Sequence, residues 1–222
     1  MKLGNLIDAF QPAEGPPPQT LGAFIRWCLS GAGPMLVLAA VCSALAGGME
    51  AGTAFILGVV IDTAIASGPE GFFGANLGTI VAALAFFLLV RPVLFGLSAA
   101  TNAIIVQPNV SPLVLSRINR WTLGQSVRFF DDDFAGRIAQ KQMQTANAVT
   151  SVVVEVINVV AFALASLAGA LILLGAVDLR ITLLFLIWLL GYFATIRWFL
   201  PRIRKRSASR AGARANVTGQ VV

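Results

Sequence analysis

Residues 152–200 read VVVEVINVVAFALASLAGALILLGAVDLRITLLFLIWLLGYFATIRWFL. Two apolar runs, Val152–Ala176 and Ile181–Leu200, flank the tight turn Val177-Asp178-Leu179-Arg180. Each run reaches the roughly 20 residues that carry an α-helix across a bilayer. Inside hydrocarbon a backbone must satisfy its own N–H and C=O groups, so each run is predicted to be a helix. The two together form a transmembrane hairpin.

A second hairpin lies upstream, Pro34–Ala66 and Phe72–Ile105 around the Gly/Pro-marked turn Ser67-Gly68-Pro69. Four spans predict an all-α, polytopic membrane helical bundle. Composition agrees: of 222 residues, 57% are hydrophobic and 12% charged, with a mean hydropathy of +0.83. A soluble domain runs near 45–50% apolar and about 25% charged, so a single aqueous core is excluded. An ordinary soluble enzyme, a disordered tail and a fibrous protein are excluded with it. Histidine is absent, which removes the commonest general base and metal ligand. Cys28 and Cys42 match no metal or redox spacing.

The net charge of +6 is a topology signal. Arg117, Arg120, Arg128, Arg137 and Lys141 occupy the centre, and Arg202, Arg204, Lys205, Arg206, Arg210 and Arg214 crowd the tail. Residues 67–75 carry no Lys or Arg, and Arg180 is the one basic residue in an outer turn. The rule that cytoplasmic loops collect basic residues puts both termini and the centre inside. Aromatics are not interleaved with these charges on a soluble surface, so no nucleic-acid partner is expected. Residues 1–20, with Asp8, Glu14 and Pro16-Pro17-Pro18, are no signal peptide and read as an irregular cytoplasmic segment. Leu21–Leu29 places Leu21, Phe24, Ile25 and Cys28 on one face, with Arg26 and Trp27 off it. That suits an interfacial elbow helix over residues 21–30, the other reading being the start of the first span.

Two helices are expected to run beyond the bilayer. Val110, Leu113, Val114, Ile118 and Trp121 keep a helical period through polar surroundings after Ile105, and Ile138 to Val149 lead into the third span without a stop. A short element must therefore turn the chain between a descending and a returning helix. Pro92, Pro108 and Pro112 are expected to kink the descending one.

Glu50 and Arg91 are ionisable residues at membrane depth, each about 20 residues from the outer turn of their hairpin and so at matching levels. An intramembrane charge faces a partner or a wet cavity. The pair is expected to meet or to share a polar cavity; a purely structural pair is the alternative to a substrate role. Ala40, Ala44, Gly48 and Gly52, and likewise Ala161, Ala165 and Gly169, form small-residue stripes for helix packing. Glu50 lies about 200° around the helix from Gly48 and faces away from that stripe.

The segment Gln125–Ile138 is the remaining feature. Asp131, Asp132 and Asp133 are adjacent on a short loop, which suits capping of the helix from Phe134 better than a metal. Phe129, Phe130 and Phe134, flanked by charges and away from lipid, form an exposed apolar patch of the kind that binds a protein partner. The stretch FFDDDFAGRIAQKQMQ, after a long polar extension of a second span, resembles the first intracellular coupling segment of ATP-binding cassette (ABC) exporters. Phe129, Phe130, Asp131, Gly136 and Arg137 match its loose pattern. The stretch ILGVVID ending at Asp62 and the basic tail from Pro201 are similar too, and the resemblance covers 34–222.

The resemblance implies a membrane domain forming part of a translocation pathway. Residues 124–137 would couple it to a nucleotide-binding domain, Phe129 and Phe130 at the docking surface, Asp133 or Gly136 at the turn. It further implies a homo- or heterodimer of half-transporters in the plasma (inner) membrane, with ATP and Mg2+ held by the nucleotide-binding domain and no cofactor in this chain. Such exporters have six spans per half, whereas four fit here, and no G-x-x-x-x-G-K-[ST] phosphate loop occurs. A partial chain, lacking the nucleotide-binding domain and without ATPase activity of its own, is expected. The alternatives are an ion-driven transporter or channel subunit using Glu50 and Arg91, and a four-span accessory protein binding its partner through Phe129–Phe134. Trp188, Tyr192, Phe193, Phe86 and Phe87 are aromatics that suit either a cavity or an interfacial anchor.

Overall fold

The computed structural model describes residues 6–131 and 135–220, the side chains of 69–71, 75, 131, 135, 204–205 and 207–220 excepted. Every element among them is helical. The order is α1 (Leu21–Leu29), α2 (Gly33–Ala75), α3 (Leu77–Ala85), α4 (Arg91–Ala100), α5 (Gln107–Leu123), α6 (Val127–Asp131), α7 (Ala135–Glu155), α8 (Phe162–Val177) and α9 (Leu179–Gln220). Four continuous stretches are long and apolar enough to cross a membrane: Gly33–Gly68, Leu77–Leu123, Gly136–Val177 and Leu179–Ile203. Their large apolar side chains stay largely uncovered, Leu88 at 68% and Leu184 at 67%, as a lipid solvent permits. The chain is a multi-pass membrane protein. It divides into two compact units, Met1–Ala170 and Leu171–Val222.

In the first unit the chain breaks at the Gly/Pro signal. Gly68 adopts φ 65°, a non-helical conformation open to glycine, which kinks the chain between the first span, Gly33–Gly68, and the second, which starts at Leu77. Asn76 Nδ2 donates to Ser67 Oγ at 2.5 Å and closes this connection. The descending span is continuous but not uniform. Wider π-helical turns at Phe86–Val90 and Thr101–Val106 run directly up to Arg91-Pro92 and Gln107-Pro108. A proline lacks the N–H that the preceding turn needs, and a π-turn reassigns the freed carbonyls. Pro112 sits inside α5 without such an interruption.

The core lies between α5 and α7. Val110, Leu113 and Val114 of α5 meet Ala146, Val149 and Val153 of α7, all at most 7% exposed, with Cys28, Ala32 and Ala39 from α1 and α2. Spacings of three and four place each set on one helical face. Two polar bridges span the antiparallel pair: Ser111 Oγ to Asn147 Oδ1 at 3.4 Å, and Gln142 Nε2 to Thr122 Oγ1 at 2.8 Å.

In the second unit a single residue separates α8 from α9. Asp178 Oδ1 accepts from the Arg180 N–H at 2.7 Å, an N-cap that starts the fourth span. Phe185, Trp188 and Tyr192 stack in succession along α9, with ring centroids 5.8 Å apart at each step. Further along, Arg202 lies over the Trp198 ring at 3.7 Å, an arrangement suited to an interfacial anchor.

Candidate functional site

The connection between α5 and α7 is built by local hydrogen bonds. The Gly124 and Gln125 N–H groups donate to Trp121 and Thr122 carbonyls at 3.2 and 3.0 Å, ending α5. The Phe129 N–H donates to Ser126 at 3.0 Å and opens the short helix α6. Phe129 and Phe130 pack edge to face, 5.3 Å between centroids, and remain 44% and 36% exposed. Leu123 and Val127, which the aromatic reading passed over, are exposed beside them in sequence and enlarge the apolar tip. Phe129 also borders a groove of about 470 Å³ with Trp27, Ile118, Trp121 and Ile138. Gly136 and Arg137 are exposed, and a Cβ on Gly136 would meet nothing. Asp132, Asp133 and Phe134 lie outside the described residues, as does the Asp131 side chain. Among the described residues no three His, Cys, Asp or Glu side chains converge as a metal site.

Arg117, absent from the sequence reading as a site, organises the base of this unit. It is 2% exposed. Its Nε donates to the Gln11 carbonyl at 3.1 Å, Nη1 to the Trp27 and Cys28 carbonyls at 2.9 Å each and to Ser30 Oγ at 3.0 Å, and Nη2 to the Ser30 carbonyl at 2.7 Å. Trp27, Cys28 and Ser30 lie at the C-terminus of α1, where carbonyls lack helical partners and a cation also complements the helix dipole. Ser116 Oγ and Arg120 Nη2 donate to the Ala9 and Phe10 carbonyls at 2.7 and 3.2 Å. Residues 6–20, expected to be irregular, form no regular element, yet Ala9, Phe10 and Gln11 are strapped along α5, with Ile7 in the core. Trp27, read as lying off the packed face of α1, turns inward because its indole N–H donates to the Glu14 carbonyl at 3.1 Å. The available signal was position: Arg117 follows Val110, Leu113 and Val114 on the buried stripe. Burial pushes the Cys28 thiol up to about 11, with Arg117 pulling the other way. The thiol stays protonated near neutrality and is a packing group.

Within the membrane Arg91 Nη2 donates to Glu50 Oε1 at 3.2 Å. Glu50 is 18 residues from Gly68 and Arg91 is 14 from Leu77, so both lie roughly 21–27 Å from the outer turn, within the hydrocarbon thickness. The side chains are 37% and 40% exposed, and the guanidinium carbon stands 5.4 Å from the centre of the Phe95 ring. Phe95 in turn packs edge to face on Phe162.

Helix packing of α2 runs one position ahead of the small-residue stripe. Ala39, Cys42, Ser43, Ala46 and Gly47 are the buried positions, whereas a Cβ on Gly48 would meet nothing. A Cβ on Gly47 would strike the Phe162 carbonyl, and one on Gly169 would come within 2.6 Å of the Ala51 Cβ. A Cβ on Gly52 would stand 3.4 Å from the Phe86 ring, an ordinary contact, and Ala165 is half-buried. The seam is displaced because Gly47 and Ala51, not Gly48 and Gly52, face α8. Glu50 follows Ala46 and Gly47 by four and three residues, which puts it along this seam and not opposite to it.

The family model described as "ABC transporter transmembrane region" matches residues 36–222. A curated relative from Haemophilus influenzae, described as an uncharacterized ABC transporter ATP-binding protein, is 28% identical over 206 residues, 92% of this chain. The chain spans 33% of that relative's length. No solved structure gives a significant match.

Proposed function

Because the chain belongs to the ABC transporter transmembrane region family, we propose that it forms part of the translocation pathway of an exporter and is coupled through Gln125–Ile138 to an ABC-type nucleotide-binding domain. The observation that carries this reading is the exposed Phe129–Phe130 pair on a short helix between α5 and α7. The Thr122–Gln142 bridge ties the two long helices close to that tip, so force applied at α6 passes to both. Exposed aromatic rings of this kind are suited to pockets on a partner, where they bury large area at small entropic cost.

In this reading the tip faces the cytoplasm of a plasma (inner) membrane, both termini are inside, and the transporter is a dimer of half-transporters. The chain contains no phosphate-cradling loop, so ATP and Mg2+ belong to the nucleotide-binding domain. What these residues do is dock and transmit: α5 and α7 act as levers, and rigid-body motion at their base reorients the spans.

Replacing both Phe129 and Phe130 by alanine in the full-length transporter tests this. The expected result is at least a tenfold loss of transport, with cross-linking between residue 128 and the nucleotide-binding domain abolished. Transport and cross-linking at wild-type levels would remove the coupling assignment.

A further inference from the structure

We propose that Glu50 and Arg91 bind the charged end of a zwitterionic amphiphile, its anionic group on Arg91 and its amine on Glu50. This rests on the reading of the spans as a translocation pathway. The pair makes one contact with itself, Arg91 Nη2 to Glu50 Oε1 at 3.2 Å, and no other hydrogen bond among the described residues. A guanidinium has five N–H donors and a carboxylate two acceptor oxygens, so most of the capacity of both groups stays unused. In water that would mean little. At this depth the surroundings are hydrocarbon, where an unmet charge is costly and a polar partner is demanded.

Both side chains are more than one-third exposed, so a partner has access to them. Its chemistry follows from theirs. Arg91 offers a planar fork that takes carboxylate or phosphate with two parallel hydrogen bonds. Glu50, with Oε2 unengaged, repels that anion unless a cation accompanies it; an ammonium beside the anion satisfies both groups at once. The Phe95 ring adjoins Arg91, Phe162 packs on Phe95 behind it, and the two rings suit an apolar body. A simple anion or a simple cation answers half of the site.

Three probes with one tail separate these cases: dodecylphosphoethanolamine, dodecyl phosphate and dodecylamine. Their binding to the full-length transporter in uncharged maltoside micelles, without nucleotide, is measured by equilibrium dialysis. The zwitterion is expected to bind about tenfold tighter than either single-charge probe. Glu50→Gln should erase its advantage over dodecyl phosphate, and Arg91→Gln its advantage over dodecylamine. Equal affinity of the three probes for the wild type overturns the proposal whatever the variants do. An unchanged preference in both variants overturns it as well. Because binding is read without nucleotide, a failed coupling experiment at Phe129 and Phe130 is a separate result.

Discussion

Replacing Arg117 by alanine removes five hydrogen bonds and takes the side-chain donor from the Gln11, Cys28 and Ser30 carbonyls, while the Trp27 carbonyl keeps Ser30 as a donor. A buried acceptor left unsatisfied costs about 1–3 kcal/mol, more than the loss of an exposed ion pair. Arg117→Ala is therefore expected to lower the thermal unfolding midpoint of the full-length protein clearly, and Arg117→Lys to lower it too, since an ammonium has three donors on one atom and cannot span the carbonyls of Gln11 and Ser30 together. A midpoint unchanged in both variants would mean that the strap contributes nothing to stability. Contrast Glu50 and Arg91, half-exposed and singly bonded: their removal is expected to show in ligand preference before it shows in stability.

At the level of helices, the crossing of α2 and α8 makes a sharp forecast. Gly47→Ala drives a methyl group into the Phe162 carbonyl and is expected to destabilise by about 1–3 kcal/mol, whereas Gly48→Ala meets open space and is expected to be neutral within about 0.5 kcal/mol. Detergent thermal melts of the two variants side by side check this, and equal effects would refute the crossing. The sequence showed that α2 carries small residues but not which of the adjacent stripes faces a neighbour, because Ala40, Gly47, Gly48 and Gly52 are all small and a stripe shifted by one looks the same on paper. The spans themselves were legible, since hydropathy over about 20 residues has no other physical reading in a chain this apolar. The turn at Ser67–Pro69 was legible too, because a glycine before a proline marks a break, and Gly68 is where the chain leaves the helical conformation. At α6 the exposed rings of Phe129 and Phe130 were legible from their polar neighbours. Arg117 was not, because charge in a sequence reads as surface until its carbonyl partners, up to 106 residues away, are seen.

For the molecule as a whole, the distribution of Lys and Arg predicts an orientation that labelling can check. In a background lacking Cys28 and Cys42, Ser126→Cys is expected to react with a membrane-impermeant maleimide only from the cytoplasmic side, and Ser67→Cys only from the outside. The reverse pattern would invert the topology. The hold of Arg117 on the strap has a further consequence for how such a chain varies. Apart from Ser30 Oγ, its partners are peptide carbonyls, which any amino acid supplies. The strap is recognised by the path of its main chain and hardly by its lettering. Substitutions at Gln11 should be tolerated, proline excepted, since Gln11 contributes its carbonyl to Arg117 and its own N–H makes a turn bond of 3.3 Å to Asp8 that proline cannot make. The freedom to drift is thus placed in the strap, and the obligation to stay the same in one arginine.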